Sequence, residues 1–169
     1  YAMVYSVPKP SVLVIGYPSN PTAYVADLAF YREVVAFAKE HKLWVISDLA
    51  YAEIYFGEEP TPSILQVPGG KDVAIEFTSM SKTYSMAGWR MGFAVGNRTL
   101  IDALARVKSY LDYGAFTPIQ AAAVAALNGP QDVVAENRAL YKARRDVMVE
   151  SFGRAGWDVP SPEASMFAW

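Results

Sequence analysis

The chain has 169 residues, 53% hydrophobic and 14% aromatic, so one domain with a substantial core is expected and intrinsic disorder is excluded. Its 15 basic and 17 acidic residues give a net charge of −2 with no long run of either sign, which offers no electrostatic partner to nucleic acid or an anionic membrane. Zero cysteines exclude disulfides, thiolate metal sites and a cysteine nucleophile, the single histidine argues against a His-rich metal centre, and no apolar run is long enough to span a bilayer, so a soluble cytoplasmic protein without a metal is expected.

Residues 12–15 form a short aliphatic run closed by Gly16 and by Pro18-Ser19-Asn20-Pro21, the pattern of a buried strand ending in a loop. Asp27 is placed to cap a helix whose apolar positions Leu28, Tyr31, Val34, Val35 and Ala38 keep the helical period. Further strands are predicted over residues 43–46, 73–77 and 90–95. The strand, helix, strand order at the start indicates a parallel βαβ unit, hence an α/β sheet with strands buried on both faces. His41 reads as an exposed helix end, and Gly69-Gly70 after Pro68 as a turn rather than a phosphate cradle.

After Asn97 the pattern turns helical. Leu100, Leu104, Val107 and Leu111 give one stripe, and a second helix starts at Ile119 after the loop at 114–118. Gly129-Pro130 leads to a long helix with Val133, Leu140 and Val147 on one face, Tyr141, Met148 and Phe152 beside them, and Arg138, Arg144, Arg145 and Arg154 expected on a solvated face. Strands are predicted near 157–159 and 165–169. The domain division expected is 1–129 in a large domain, 130–156 as a bridging helix and 157–169 opening a smaller domain. Because the chain starts at Tyr1 in an apolar run and stops at Trp169 in what reads as a strand, a piece of a longer protein is expected.

The chemistry sits at the predicted strand ends. Ser79-Met80-Ser81-Lys82 is followed eight residues later by Arg90, and side-chain alternation in an extended strand end puts Ser79 and Ser81 on one side. Two hydroxyls, a lysine and an arginine then gather at the carboxyl edge of the sheet, the usual ligand crevice of open α/β folds. Taken singly, each residue has a plainer reading: a surface lysine, a turn-forming Asn20, a cap at Asp48, a packing Tyr51. Their ordered recurrence at successive strand ends is what favours a site.

The order Asn20-Pro21-Thr22, Asp48-Leu49-Ala50-Tyr51, Ser79-Met80-Ser81-Lys82 and Gly88-Trp89-Arg90 resembles the class I/II aminotransferases among the fold-type I pyridoxal-phosphate enzymes. More narrowly, SMSKTYSMAGWRMGFAVGN and VKSYLDYGAFTPIQAA look like the subgroup of alanine (glutamate–pyruvate) and LL-diaminopimelate aminotransferases. The resemblance covers nearly the whole chain and departs at Ala23, where many members have glycine. It implies an α/β fold: a piece of the large cofactor domain, a mostly parallel sheet flanked by helices, plus the start of the small C-terminal domain. It also implies a homodimer that uses pyridoxal 5'-phosphate to move an amino group between an amino acid and a 2-oxo acid.

By the same resemblance, Lys82 is the Schiff-base lysine and the proton carrier, with the lowered pKa that a base needs. Asp48 is a buried carboxylate facing the pyridine nitrogen. Asn20 and Tyr51 bind the ring's phenolic oxygen, Ser79 and Arg90 bind the phosphate, and Ser81 is a weaker cofactor contact. An aromatic stacked on the ring, further phosphate donors and the arginine for the substrate carboxylate have no matching position here, so the chain alone is expected to be inactive. Two other functions share these residues: a fold-type I decarboxylase, lyase or acyl-transferring synthase, and the cofactor-sensing domain of a transcription regulator. A plain α/β domain without cofactor also stays open.

Overall fold

The computed structural model describes residues 7–169; the apolar run from Tyr1 lies outside them. Four strands, β1 (Val12–Gly16), β2 (Trp44–Asp48), β3 (Ala74–Ser79) and β4 (Gly92–Gly96), form one sheet in the order β1-β2-β3-β4. The first two pairings are parallel and the third is antiparallel, so the sheet is mixed. The fourth strand starts at Gly92 rather than at Arg90, because Arg90 takes a left-handed conformation (φ 54°) at the end of a 3₁₀ turn over Ala87–Trp89. At the far end of β4, Gly96 (φ 144°) passes so close to β3 that a Cβ there would collide with the Ala74 carbonyl oxygen.

Helix α1 (Leu28–His41) connects β1 to β2, the right arrangement for the expected βαβ unit. Asp27 accepts a 2.7 Å hydrogen bond from Phe30 N at its start, and Lys42 ends it in the left-handed region. Tyr31, Val34, Val35 and Ala38 recur at helical spacing and are all buried, together with Leu43, Val45, Ile64, Val67, Val73 and Ala74. Burying a side chain of this size contributes roughly 1.5–3 kcal/mol, so this layer is the main source of cohesion among the described residues. His41 is half-buried against the Phe37 ring, not simply exposed. Gly69 forms a left-handed turn into the short α2 (Gly70–Val73), as expected of a turn.

One charged group lies inside this layer. Glu76 on β3 is 2% exposed and accepts from Ser47 Oγ (3.1 Å), Ser63 Oγ (2.6 Å) and Ile64 N (3.2 Å). It therefore ties β2 and the 3₁₀ turn Ile64–Gln66 to β3, and three donors offset the cost of burying a carboxylate. Burial first, and the Glu76 charge second, push the Tyr31 phenol upward.

The expectation that the strands are buried on both faces needs correction. Val12 and Val14 on β1, and Phe93 and Val95 on β4, are exposed, because α1 and its neighbours layer over one side of β1 and the described residues supply no second layer there.

After the short α3 (Met80–Thr83) and β4, the chain runs through α4 (Arg98–Leu111), α5 (Thr117–Asn128) and α6 (Asp132–Arg154). No residue of α4 is buried, although its apolar stripe is clear. On α6 the expected faces hold only at Tyr141 and Met148. Val133, Leu140 and Val147 point outward, whereas Val134, Asn137, Arg138, Tyr141, Arg145 and Met148 are buried or half-buried. The reason is polar anchoring. Arg138 donates to Glu53 through Nε (to the backbone carbonyl) and Nη2, and lies 3.8 Å from the Tyr55 ring; Arg145 donates to Pro162 O and lies 4.5 Å from the Phe56 ring. Arg144 and Arg154 stay exposed as expected. The strands predicted near 157–159 and 165–169 do not form, because only Ala164 finds a partner, a single antiparallel bridge to Tyr55. Among the described residues no helix is long and apolar enough to cross a membrane.

Candidate active site

Parallel register brings three strand ends side by side. Gly16 pairs with Asp48 and Asp48 with Phe77, so the loops leaving β1, β2 and β3 share one edge of the sheet. After β1, Ser19 N donates to Tyr24 O and Ala23 N to Ser19 O, a tight turn that displays Asn20. Ala23 is buried in that turn at φ 58°, a conformation glycine takes without strain, which is the physical content of the departure from the family pattern.

Asp48 ends β2, and its Oδ1 accepts from Ala50 N at 3.1 Å. Its side chain is exposed, contrary to the buried carboxylate expected, because it is the last paired residue of the strand and nothing among the described residues covers it. Three residues on, Tyr51 is half-buried and receives contacts from several directions. Asn20 Nδ2 donates to its hydroxyl at 3.5 Å, Lys82 Nζ lies 5.6 Å from its ring centroid, and the Phe167 ring meets it edge-on at 5.3 Å. Burial raises the Tyr51 phenol above its ordinary value, the Asn20 hydrogen bond opposes this, and the Asp48 charge adds to the rise.

At the end of β3 the backbone turns into α3 with Ser79 as its cap, its Oγ accepting from Ser81 N at 3.3 Å. Ser81 is buried and Lys82 half-buried. The antiparallel β4 returns beside this turn, with Met91 O accepting from Met80 N at 3.1 Å, so Arg90 is carried next to the serines. Its guanidinium is exposed and donates to Ala87 O at 3.0 Å; among the described residues no hydrogen bond joins it to Ser79, Ser81 or Lys82. The structure thus brings Asn20, Tyr51 and Lys82 together, sets Asp48 and Ser79 on the same sheet edge, and leaves Arg90 adjacent but turned to its own loop. A groove of about 390 Å³ between the Tyr55–Pro62 loop and Pro162 lies apart from this cluster.

An amine, a carboxylate, a phenol paired with an amide, a hydroxyl and a guanidinium on one sheet edge fit a phosphorylated pyridine aldehyde: each polar position of that group has a complementary donor or acceptor. One neighbour of the site escapes sequence reasoning: Phe167 reaches Tyr51 only through a contact across a long sequence separation.

The family model described as aminotransferase class I and II matches residues 3–169. A Rhizobium meliloti protein provisionally named aminotransferase AatC is 68% identical over 168 residues, covering 99% of this chain and 42% of that protein. The glutamate-pyruvate aminotransferase AlaC of Escherichia coli is 55% identical over 164 residues, covering 97% of this chain and 40% of that protein. Among solved structures, substrate-bound BacF from Bacillus subtilis superimposes with a TM-score of 0.91 at 38% identity, covering 95% of this chain and 41% of BacF. The chain therefore spans about two fifths of the length of the relatives it matches.

Proposed function

From the premise that this chain belongs to the class I and II aminotransferase family, we propose that the intact protein moves an amino group between an amino acid and a 2-oxo acid, with alanine and glutamate as the amino donors it exchanges. The supporting observation is the convergence of Asn20 and Lys82 on Tyr51 at the strand ends that also carry Asp48 and Ser79.

Pyridoxal 5'-phosphate, when bound, supplies an electron-accepting ring that stabilises negative charge at the substrate α-carbon. Lys82 Nζ is the covalent anchor and the atom that carries the proton from that carbon. The Asp48 carboxylate keeps the ring nitrogen protonated, and its exposure leaves it open to a ligand. Tyr51 and Asn20 orient the ring through its phenolic oxygen. Ser79 and Arg90 would hold the phosphate, Arg90 through a charge-assisted hydrogen bond, and Ser81 would brace the turn from its buried position.

Residues 1–129 form part of the large cofactor domain, 130–156 the bridging helix and 157–169 the start of the small domain. The protein is a cytoplasmic homodimer. The 169-residue chain alone is inactive, because the substrate-carboxylate arginine and the ring-stacking aromatic have no counterpart in it, and preorganisation of all such groups is what makes catalysis effective.

Incubating the intact protein with pyridoxal 5'-phosphate, alanine and 2-oxoglutarate tests the proposal. Pyruvate and glutamate should appear in equal amounts. Release of carbon dioxide from the amino acid, or cofactor uptake with no amino transfer to any 2-oxo acid, would point instead to a decarboxylase or a sensor and overturn it.

A further inference from the structure

Tyr51 is poorly fixed by its own hydroxyl. The Asn20 contact, at 3.5 Å, is at the limit of a hydrogen bond and restrains the ring weakly. A phenol on a loop turns about its side-chain bonds unless something packs against its ring. That restraint comes from far along the sequence.

The segment beyond α6 has no regular secondary structure, yet it is held firmly. Phe56 N donates to Glu163 O at 2.9 Å, Ser165 N to Ile54 O at 2.6 Å, and Arg145 to Pro162 O at 2.9 Å. Ala164 and Ser165 are buried, and Ser165 takes φ 72° with its Oγ buried and without a partner. A serine held left-handed with an unsatisfied hydroxyl is there for the course of its backbone, not for its side chain. The turn it makes delivers Phe167 to Tyr51, centroids 5.3 Å apart and planes at 72°. Edge-to-face contact is directional, since the positive ring edge meets the negative face. The loop at 49–56 thus carries Tyr51 near its start and, near its end, the bridge that seats Phe167.

We propose that Phe167 is a positioning residue for Tyr51: its ring fixes the plane of the phenol so that the hydroxyl faces Asn20 and the group anchored at Lys82. The inference rests on the reading of Tyr51 as a cofactor contact. It also ties the segment after α6 to the reactive centre, so a displacement of that segment is felt at Tyr51.

The test uses the intact protein with Phe167→Leu, Phe167→Tyr, Tyr51→Phe and the double variant Tyr51→Phe/Phe167→Leu. Leucine keeps apolar volume but has no ring, whereas tyrosine keeps the ring. Phe167→Leu should lower kcat by about three- to tenfold with KM within about twofold, while Phe167→Tyr stays near the parent. The pH titration of the bound cofactor's visible band should move in the same direction in Phe167→Leu as in Tyr51→Phe. In the double variant the leucine should add no further change. A Phe167→Leu protein indistinguishable from the parent in the titration, or effects that add in the double variant, would overturn the inference. A parent protein that develops no visible band with pyridoxal 5'-phosphate would overturn the reading of the site itself, and this is seen before any variant is compared.

Discussion

The sheet half of the molecule and its three C-terminal helices solve the burial problem in opposite ways. In α1 the apolar stripe and the packed face coincide: Tyr31, Val34, Val35 and Ala38 all meet the sheet. In α4 the stripe exists without burial, and in α6 the face turned inward is the one rich in arginine, tyrosine and asparagine. A hydrophobic stripe therefore reports that a face is available and not which neighbour it meets. In α6, side chains with both an apolar stem and a charged fork compete for the inward position. Arg138 and Arg145 win it by stacking on Tyr55 and Phe56 while their guanidinium groups bond to backbone carbonyls. The sheet half holds itself together by packing and displays its chemistry at an exposed edge. The helical half is attached to that edge by polar contacts, among them Asn137 to Thr83 O, next to Lys82.

Changing residues from the two halves should separate these roles. Asp48→Ala, at the exposed edge, should cut transamination by the intact protein at least about a thousandfold, or ~4 kcal/mol in barrier, with the urea midpoint unmoved. Turnover close to normal would remove Asp48 from the mechanism. In the packed layer, Tyr31→Ala should cost roughly 3–5 kcal/mol of stability, since the ring is 1% exposed and its removal leaves a cavity. Glu76→Ala should cost about 1–3 kcal/mol by leaving the Ser47 and Ser63 hydroxyls and the Ile64 N–H without their acceptor. Denaturant unfolding reads both. On α4, Leu111→Ala in the 169-residue chain should stay within about 0.5 kcal/mol, because Leu111 is 75% exposed there; a loss as large as that of Tyr31→Ala would erase the contrast between the halves.

The smallest effect concerns pH. The Lys108 hydrogen bond, helped by Gly114 N, holds Asp112 below the ordinary carboxylate value of 3.8 at the end of α4. A lowered folded value means that its contribution is complete above the ordinary value and is lost as pH falls through the lowered one. The carboxylate is exposed and screened, so only a slight fraying of α4 below about pH 4 is expected. Comparing the acid limb of the helical circular dichroism signal with that of Asp112→Asn checks it, and a difference confined to neutral or alkaline pH would contradict it.

Much of the candidate site was legible because strand ends are legible. The aliphatic runs before Gly16, Asp48 and Ser79 marked three strands, and the polar residues just beyond each had to share an edge once the strands ran parallel. Arg90 was harder. Its neighbourhood follows from β4 pairing with β3, but its contact with Ala87 depends on a left-handed turn that no periodicity announces. The inward turn of Arg138 and Arg145 on α6 was not legible, since apolar spacing favoured Val133, Leu140 and Val147, while Glu53, Tyr55 and Phe56, which attract them, lie on a loop far earlier in the chain and Pro162 lies past the helix end. Phe167 is the extreme case. An aromatic in a segment that reads as a strand carries no pattern that points to Tyr51, and its seat beside that ring depends on one backbone bridge at Ala164.

The central claim is that Lys82 holds the cofactor at the edge where β1, β2 and β3 end. Borohydride reduction of the intact protein loaded with pyridoxal 5'-phosphate, followed by peptide mass mapping, tests it directly. The pyridoxyl mass should fall on Lys82. Its appearance on Lys71 or Lys108, with Lys82 unmodified, would contradict the claim.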